Sequence, residues 1–449
     1  MNDFKSAGLP KELIYAVSKL SGAKRQRVQI TPSTSQQINS GSGSLCVFQL
    51  PADAVVDLST LSLIGKWRLH CATGANAIDY INPPSHQLFS MATLSVNGGI
   101  VVSGSQNSYQ HITQEAWYRA QADQAYLNAH CLENLNNTFT PASGYANFGG
   151  QIATDATSST DNHYIVYNNF PCARASRFLD TSVYGFSTIS LKPSSINCIK
   201  GTYLSERNAR WELTDCVLEV EIMSSLPEEY ISLVKELVAQ GKQFKMNICN
   251  EVSSIYAGNN NTVLLNVSTQ SLDGVLVAPL IDESGFYGTA NTALVCPAFN
   301  FRWAPTNVNP SLHDQVQFSF KVGSYMIPET PYPRLLNLAN ATAESLYGDS
   351  MYAKHNLFVG NCSNDNALTY TREGYCDLNG VVYQNLSALR EAGWSNYDQT
   401  ISGVPTFGQS VVVQVSYNKT NPPPKVMVCA ETTSTIVFDS QSGAVSLIQ

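Results

Sequence analysis

Apolar and polar residues alternate with a period of two along much of this chain, and this pattern predicts β-strands. Segment 91–102 is the clearest case, since an alternating strand is followed by Asn97-Gly98 and a second apolar strand. Asn and Gly both accept the positive φ of a type I′ turn, which matches the twist of paired strands. The segment is therefore predicted to form a β-hairpin.

A short helix is predicted between two series of strands. It covers 226–239, where Pro227 and Glu228-Glu229 stand near the start, as helix N-termini prefer, and Gly241 follows the end. The other predicted elements are strands at 27–32, 44–51, 61–71, 164–167, 183–191, 213–223, 244–249, 263–268, 274–279, 316–322, 410–417, 425–429 and 434–439, and helices at 109–132 and 335–346.

Each half of the chain thus holds short strands interrupted by one helix and one long loop. This organisation indicates two β-sandwiches in tandem rather than a propeller, whose repeats are shorter and more regular. The polar run 206–210 is unsuited to a core strand, so the break is expected between residues 205 and 225. We expect an all-β protein with short helices in its connections, divided into an N-terminal arm at 1–25 and sandwiches at 26–210 and 211–449.

The arm has a helical pattern of its own. Residues 9–20 place four apolar side chains on one helical face, and basic residues flank or follow them. So short a segment is most often an ordinary packing helix, while a membrane surface, neighbouring subunits or nucleic acid are the alternative partners. The apolar residues are Leu9, Leu13, Val17 and Leu20, and the basic ones are Lys19, Lys24, Arg25 and Arg27.

The last 25 residues are predicted to be part of the fold. Segments 426–429, 435–438 and 443–448 alternate or run apolar, so three short strands are expected to pair in sequence. Exposed, they would be edge strands prone to aggregation.

Composition agrees with an all-β protein, since 43% of residues are hydrophobic, only 13% are charged, and Tyr and Phe are abundant. A net charge of −8 argues against a molecule that grips nucleic acid over its whole surface. So little charge favours a surface that is largely covered in an assembly, although a neutral secreted protein has the same composition.

The eleven cysteines form no Cys-x-x-Cys pair, and no His stands at zinc-ligand spacing from a Cys pair. We therefore expect small buried hydrophobes in a reducing compartment rather than a disulfide framework. The chain begins without the apolar core of a signal peptide, and no run reaches the ~20 apolar residues of a membrane span. Synthesis in the cytosol or nucleus is expected.

Catalytic motifs are missing from the sequence. The seven histidines are dispersed, and there is no His-Glu-x-x-His, Gly-x-Ser-x-Gly or phosphate-binding glycine loop. The pair Glu228-Glu229 fits a helix start, and Glu219 and Glu221 fit a solvent-facing strand. No enzyme, catalytic residue, cofactor or metal is predicted; a glycoside hydrolase ranks below a β-sandwich carbohydrate-binding adhesin or fibre protein.

The chain resembles the double jelly-roll major capsid proteins of icosahedral DNA viruses, most closely those of virophages, polinton-like viruses and adintoviruses. Short patterns spread over nearly the whole chain carry the resemblance. They lie at 27–33, 48–51, 56–60, 91–109, 213–222 with the helix that follows, 327–334 and 430–448. The family's long loops are reduced here, which implies short towers on the outer face.

The resemblance implies two eight-stranded jelly rolls side by side and a homotrimeric, pseudo-hexagonal capsomer that tiles an icosahedral shell around DNA. Partners would be other copies of the chain, penton proteins and minor capsid or cement proteins. The arm would lie at the inner face against a membrane, minor proteins or DNA. The protein would be made in the host cytoplasm and assembled there or in the nucleus into the virion. Candidate contact aromatics, equally readable as core residues, are Trp303, Tyr332, Tyr352 and Trp394.

Overall fold

A computed structural model gives the fold of this protein. It describes residues 24–34, 37–40, 45–81, 85–101, 149–159, 163–168, 170, 172, 178–257, 262–280, 317–332, 382–386, 403–416 and 425–448. The predicted helices at 9–20, 109–132 and 335–346 lie outside these residues, as do Trp303, Tyr352 and Trp394.

Strands dominate the described chain. The first set is β1 Lys24–Ile30, β2 Ile38–Asn39, β3 Cys46–Gln49, β4 Val55–His70, β5 Ile78–Ile81, β6 Phe89–Val96, β7 Gly99–Val101, β8 Gly149–Ile152, β9 His163–Tyr167, β10 Phe178–Asp180, β11 Ser187–Pro193, β12 Lys200–Gly201 and β13 Arg210–Ser225. The second set is β14 Gln243–Ala257, β15 Thr262–Leu265, β16 Leu272–Leu280, β17 Gln317–Val322, β18 Tyr325–Tyr332, β19 Val382–Asn385, β20 Val411–Ser416, β21 Lys425–Asp439 and β22 Ala444–Ile448. The α-helices are α1 Thr181–Tyr184 and α2 Glu228–Ala239, and 3-10 turns cover Ser85–Leu88 and Ile196–Cys198.

Each set contains eight strands that pair in the same nested order. In chain order they are β1, β3, β4, β6, β7, β10, β11 and β13 in the first set, and β14 to β21 in the second. The first of the eight pairs antiparallel with the eighth, the second with the seventh, the third with the sixth and the fourth with the fifth. The eighth also pairs with the third, and the seventh with the fourth. A long hairpin wound in this way into two sheets is a jelly roll.

The predicted hairpin is confirmed. Asn97 and Gly98 have φ of 51° and 71°, and β6 and β7 pair on either side of them. The helix predicted at 226–239 is confirmed as α2, with Glu228 and Glu229 in its first turn.

The boundary expected at residues 210 and 211 does not match the strand pairing. It falls at the start of β13, and β13 pairs with β1 and β4 of the first set. The polar run 206–210 is a turn that leads back into the first sandwich, because the long strand after it supplies that sheet with its eighth strand. We propose that the two units divide after Ser225, at α2.

The last segment also differs from its prediction. The expected strands 426–429 and 435–438 are one strand, β21, and residues 444–448 form β22 as a second. The polar run Thr432–Thr435 joins the two apolar parts, because its hydroxyl-bearing side chains are buried within the sheet.

Connections between strands alternate between two ends of each sandwich. We call the end with the turn between the fourth and fifth strands the hairpin end, and the opposite end the insertion end. The longest connection of each sandwich, 102–177 and 333–381, belongs to the insertion end. So do all five accessory strands of the first set, β2, β5, β8, β9 and β12.

Arg207 fixes the insertion end of the first sandwich. Strands β12, β5 and β8 form a small sheet there, and the Arg207 side chain is buried beside it at 2% exposure. Burying a guanidinium is costly unless its N–H groups are satisfied. It donates to the carbonyl oxygens of Ala72, Asn76, Ile152, Ala153 and Ala156 at 2.6–3.1 Å.

The cysteine prediction is confirmed within the described chain, where seven thiols are buried and none forms a disulfide. Burial raises the pKa of the Cys46 thiol to about 11 and also raises those of Cys198 and Cys216. These thiols are consequently protonated and unreactive in the fold. The seven are Cys46, Cys71, Cys172, Cys198, Cys216, Cys249 and Cys429.

Arg207→Met should lower the free energy of unfolding by about 3 kcal/mol, because buried carbonyls lose their donors. Arg210→Met, an exposed arginine three residues later, is the matched control and should change little. Thermal melts of the three purified proteins test this. Equal melting midpoints for the two variants would contradict the role of Arg207.

A chain ending at Pro424 should yield no soluble folded protein, because it lacks β21, which pairs with β14, β16 and β22. A chain ending at Gly443 keeps β21 and should remain soluble. Soluble yield and a cooperative melt are the measurements. A folded product from the shorter chain would show that β21 is dispensable.

Candidate assembly interface

The two sandwiches meet through aromatic rings at their hairpin ends. The Tyr184 ring, in the turn between β10 and β11, lies edge-on to Phe438 near the end of β21, with ring centroids 6.2 Å apart. Phe438 in turn packs on Phe244 near the start of β14, at 6.0 Å. Edge-to-face pairs of this kind add to the apolar burial.

Asp180 ties α2 to the first sandwich at the same end. Its Oδ1 accepts from the Ser182 N–H at 2.9 Å and the Ser182 hydroxyl at 2.5 Å, which caps α1. Its Oδ2 accepts from the Tyr230 hydroxyl of α2 at 2.6 Å. Burial, followed by the Asp180 carboxylate, raises the pKa of Tyr230 far above its ordinary value, so Tyr230 stays a donor. The helix that links the sandwiches is thereby anchored.

Several apolar side chains project into solvent at the hairpin ends. Phe186 is 56% exposed between β10 and β11, and Tyr325 is 73% exposed beside the turn between β17 and β18. Phe407 is 52% exposed before β20. Tyr164 of β9 and Leu264 of β15 are exposed elsewhere, at 64% and 53%. We take the exposed side chains at the hairpin ends as a candidate interaction surface. Helix α2, which joins the two hairpin ends, exposes Ile231 and Val238 as well.

A second surface is the outer face of the sheet that holds β1, β13 and β4. Every ion pair among the described residues lies there. The pairs are Arg25 with Asp57 and Glu221, Arg27 with Glu219, and Lys66 with Asp215, and a hydrogen bond joins His70 to Glu212 on the same face.

These pairs change two expectations. Lys24 and Arg25, assigned to the arm, are the first residues of β1. Arg25 and Arg27 are neutralised by Glu219 and Glu221, which lie on the outer face of the sheet and are 13% and 32% exposed. The face therefore offers little free positive charge to nucleic acid.

A buried acidic cluster occupies the corresponding face of the second sandwich. Glu251 of β14 and Glu431 of β21 are cross-strand neighbours, and both are buried. Glu431 accepts from the Tyr383 hydroxyl at 3.1 Å and from the Cys249 thiol at 3.7 Å. Tyr383 reaches it across Gly274, where a Cβ would lie 2.1 Å from the tyrosine oxygen. Glycine is required there for this contact.

Asp273 lies nearby, in a bulge of β16. It accepts from the hydroxyls of Ser271 at 2.6 Å and Thr433 at 2.7 Å. Burial raises the pKa of Asp273 to about 6 despite these bonds. Among the described residues no group of three acidic, His or Cys side chains is arranged to hold a metal.

Sequence reasoning found none of Arg207, Asp180 and Asp273, because each acts on residues distant in the chain. Asp180 had a local signal, since Asp-Thr-Ser is a helix-capping sequence. Of the predicted contact aromatics, Tyr332 is the last residue of β18, opposite Phe318. Within the described ranges, no helix has the length and apolar character needed to cross a membrane.

The folded state should become more stable as pH falls from 7.5 to 5. Asp273 has a pKa of about 6 in the folded state, above its ordinary value, so its ionisation costs stability. The cost, at most about 3 kcal/mol, is fully present above about pH 6 and is lost as the pH falls towards the ordinary aspartate pKa, so roughly half of it is recovered at pH 5. Asp273→Asn should remove this part of the pH dependence, whereas Asp215→Asn, an exposed carboxylate, should retain it. The thermal melting midpoints of the unsubstituted protein and the two variants at pH 7.5 and pH 5 test this prediction. An Asp273→Asn protein with the full pH dependence would contradict the assignment.

Comparison with known proteins finds similarity in three-dimensional structure only. No protein-family model matches the chain, and no curated protein matches it. The Sputnik virophage structure aligns with a TM-score of 0.56 at 12% identity, over 95% of this chain and 89% of that one. The PBCV-1 virus capsid aligns at 0.53 with 9% identity, over 96% and 98%. PBCV-1 VP54, fitted into Sputnik, aligns at 0.51 with 8% identity, over 96% and 98%.

The nested strand order of both sandwiches and these near full-length alignments agree. The chain is an all-β protein with the double jelly-roll fold of virophage and PBCV-1 capsid structures.

Proposed function

We propose that this protein is a major capsid protein, and that three copies form a pseudo-hexagonal capsomer of an icosahedral shell around a DNA genome. The observation that carries the proposal is the repetition of one strand order in the two halves of one chain. Three such chains around a threefold axis place six similar units in a ring. That outline is close to a hexagon and can tile a surface.

The likeness to a virophage and to a virus capsid supports this role, since it covers at least 95% of the chain. The anchoring of α2 by Asp180 and Tyr230 supports it too, because a tile must hold its two units in a fixed relation. We propose that the protein has a structural rather than an enzymatic role and that it is located in the virion.

Each surface has a proposed role within such a shell. The apolar hairpin ends would be covered by neighbouring copies or by minor capsid proteins, and penton proteins would fill the vertices. Residues 1–23 precede β1, whose first residue lies at the hairpin end, so the arm leaves the first sandwich there. We place that end at the inside of the shell, with the arm against a membrane, minor proteins or DNA. The protein would be synthesised in the host cytoplasm and assembled into virions there or in the nucleus.

The purified full-length chain should have three times its 48.9 kDa mass in solution. Light scattering after size-exclusion chromatography measures the mass, and negative-stain images should show three-fold particles with a six-cornered outline. The mass should persist on dilution, because obligate interfaces commonly bury more than about 2,000 Å².

A monomer that binds glycans on an array would overturn the proposal in favour of an adhesin. A monomer without glycan binding would overturn it as well.

A further inference from the structure

Strand β22 is an uncharged edge strand. It comprises Ala444–Ile448 and pairs with β21, where Ile448 lies opposite Thr435 and Ala444 opposite Asp439. Val445 and Leu447 pack against the core, while Ala444, Ser446 and Ile448 are exposed. Within the described chain no strand pairs with its other side. Among the described residues its outward backbone groups are therefore without a strand partner, and an edge of this kind can pair with another chain.

The edge of the first sandwich is built differently. Its outermost strand, β1, carries Lys24, Arg25 and Arg27, and charged side chains are a common protection of edges against pairing with another copy. Strand β22 carries no charge, proline or glycine. The terminal strand of the second sandwich that corresponds to β1 is β14, and it carries an exposed Lys245. Charge of this kind is thus present on β1 and β14 and missing from β22, which favours β22 as a site of strand addition.

We propose that β22 pairs antiparallel with β22 of a second copy, across a two-fold axis through Ser446. In this register all five residues find a partner. Ser446 meets Ser446 of the other copy, which favours a hydroxyl hydrogen bond, and the large Ile448 meets the small Ala444. No charges oppose each other, so two identical edges are compatible, and a symmetric contact of this kind closes on itself.

One such contact is small. Five residue pairs bury far less than the ~1,200 Å² of a stable interface, so two isolated chains would associate weakly. A trimer displays three of these edges, and repeated weak contacts add up when their partners are held in place. The strand would then join neighbouring capsomers. That role rests on the proposed function, whereas the strand pairing itself does not.

Cysteine cross-linking of the full chain tests the register. Ser446→Cys should form an intermolecular disulfide on mild oxidation, about ten-fold more than Ser442→Cys, an exposed position in the turn before β22. Ala444→Cys and Ile448→Cys should each cross-link poorly alone and well when mixed. The unsubstituted chain, whose described thiols are buried, gives the background on a non-reducing gel.

Equal cross-linking of Ser446→Cys and Ser442→Cys would overturn the inference, and so would self-cross-linking of Ala444→Cys alone. Ser446→Lys provides an independent measurement, since a charge at the centre of the pair should reduce higher-order association in sedimentation velocity while the melting midpoint stays the same. Unchanged association in that variant would also overturn it. A trimer without Ser446 cross-links would refute this inference alone, and Ser446 cross-links in a chain that never forms a trimer would refute the capsid proposal alone.

Discussion

The antiparallel pairing of the first and eighth strands is the interaction on which each sandwich depends. In the second sandwich, β14 and β21 are matched over all fifteen residues, from Gln243 opposite Asp439 to Ala257 opposite Lys425. Such a ladder satisfies the backbone groups of two long strands at once, which is obligatory where they are buried. The third strand pairs with the other side of the eighth, and the second strand pairs with the seventh, which also pairs with the fourth. The same strand order in both halves shows that the first and eighth strands pair in this way in each sandwich.

Two buried polar side chains lie at the connections between strands, where hydrogen bonds between strands do not fix the backbone. Arg207 satisfies carbonyls from two separate segments, 72–76 and 152–156, at the insertion end. Asp180 joins a helix cap to Tyr230 at the hairpin end. In both cases a buried charged or ionisable group is surrounded by specific partners, and this makes the arrangement of the loops unique rather than merely compact. The two ends of the first sandwich are fixed by one residue each.

The two sandwiches present different surfaces. The first carries a face of compensated charge and a charged edge strand, β1, whereas the second carries a buried acidic face and an uncharged edge strand, β22. Phe186, Tyr325 and Phe407 are exposed at the hairpin ends, and the longest connections belong to the insertion ends.

The sequence by itself determined the local elements. The Asn97-Gly98 hairpin, the helix after Pro227, the positions of most strands and the burial of the described cysteines all follow from short-range chemistry, that is, turn geometry, capping charge and periodicity. Only the tertiary structure decided the pairing. Alternation with a period of two says which side of a strand is buried but not which strand lies beside it, and Gln29 bonds to Glu219 across 190 residues. The same reason explains why β13 was assigned to the wrong sandwich and β21 was divided in two. In the sequence, Glu431 and the hydroxyl-bearing residues after it look like a break in an apolar strand. In the fold, Tyr383 and Cys249 donate hydrogen bonds to Glu431, and Asp273 accepts one from Thr433, so these polar groups can be buried within the strand.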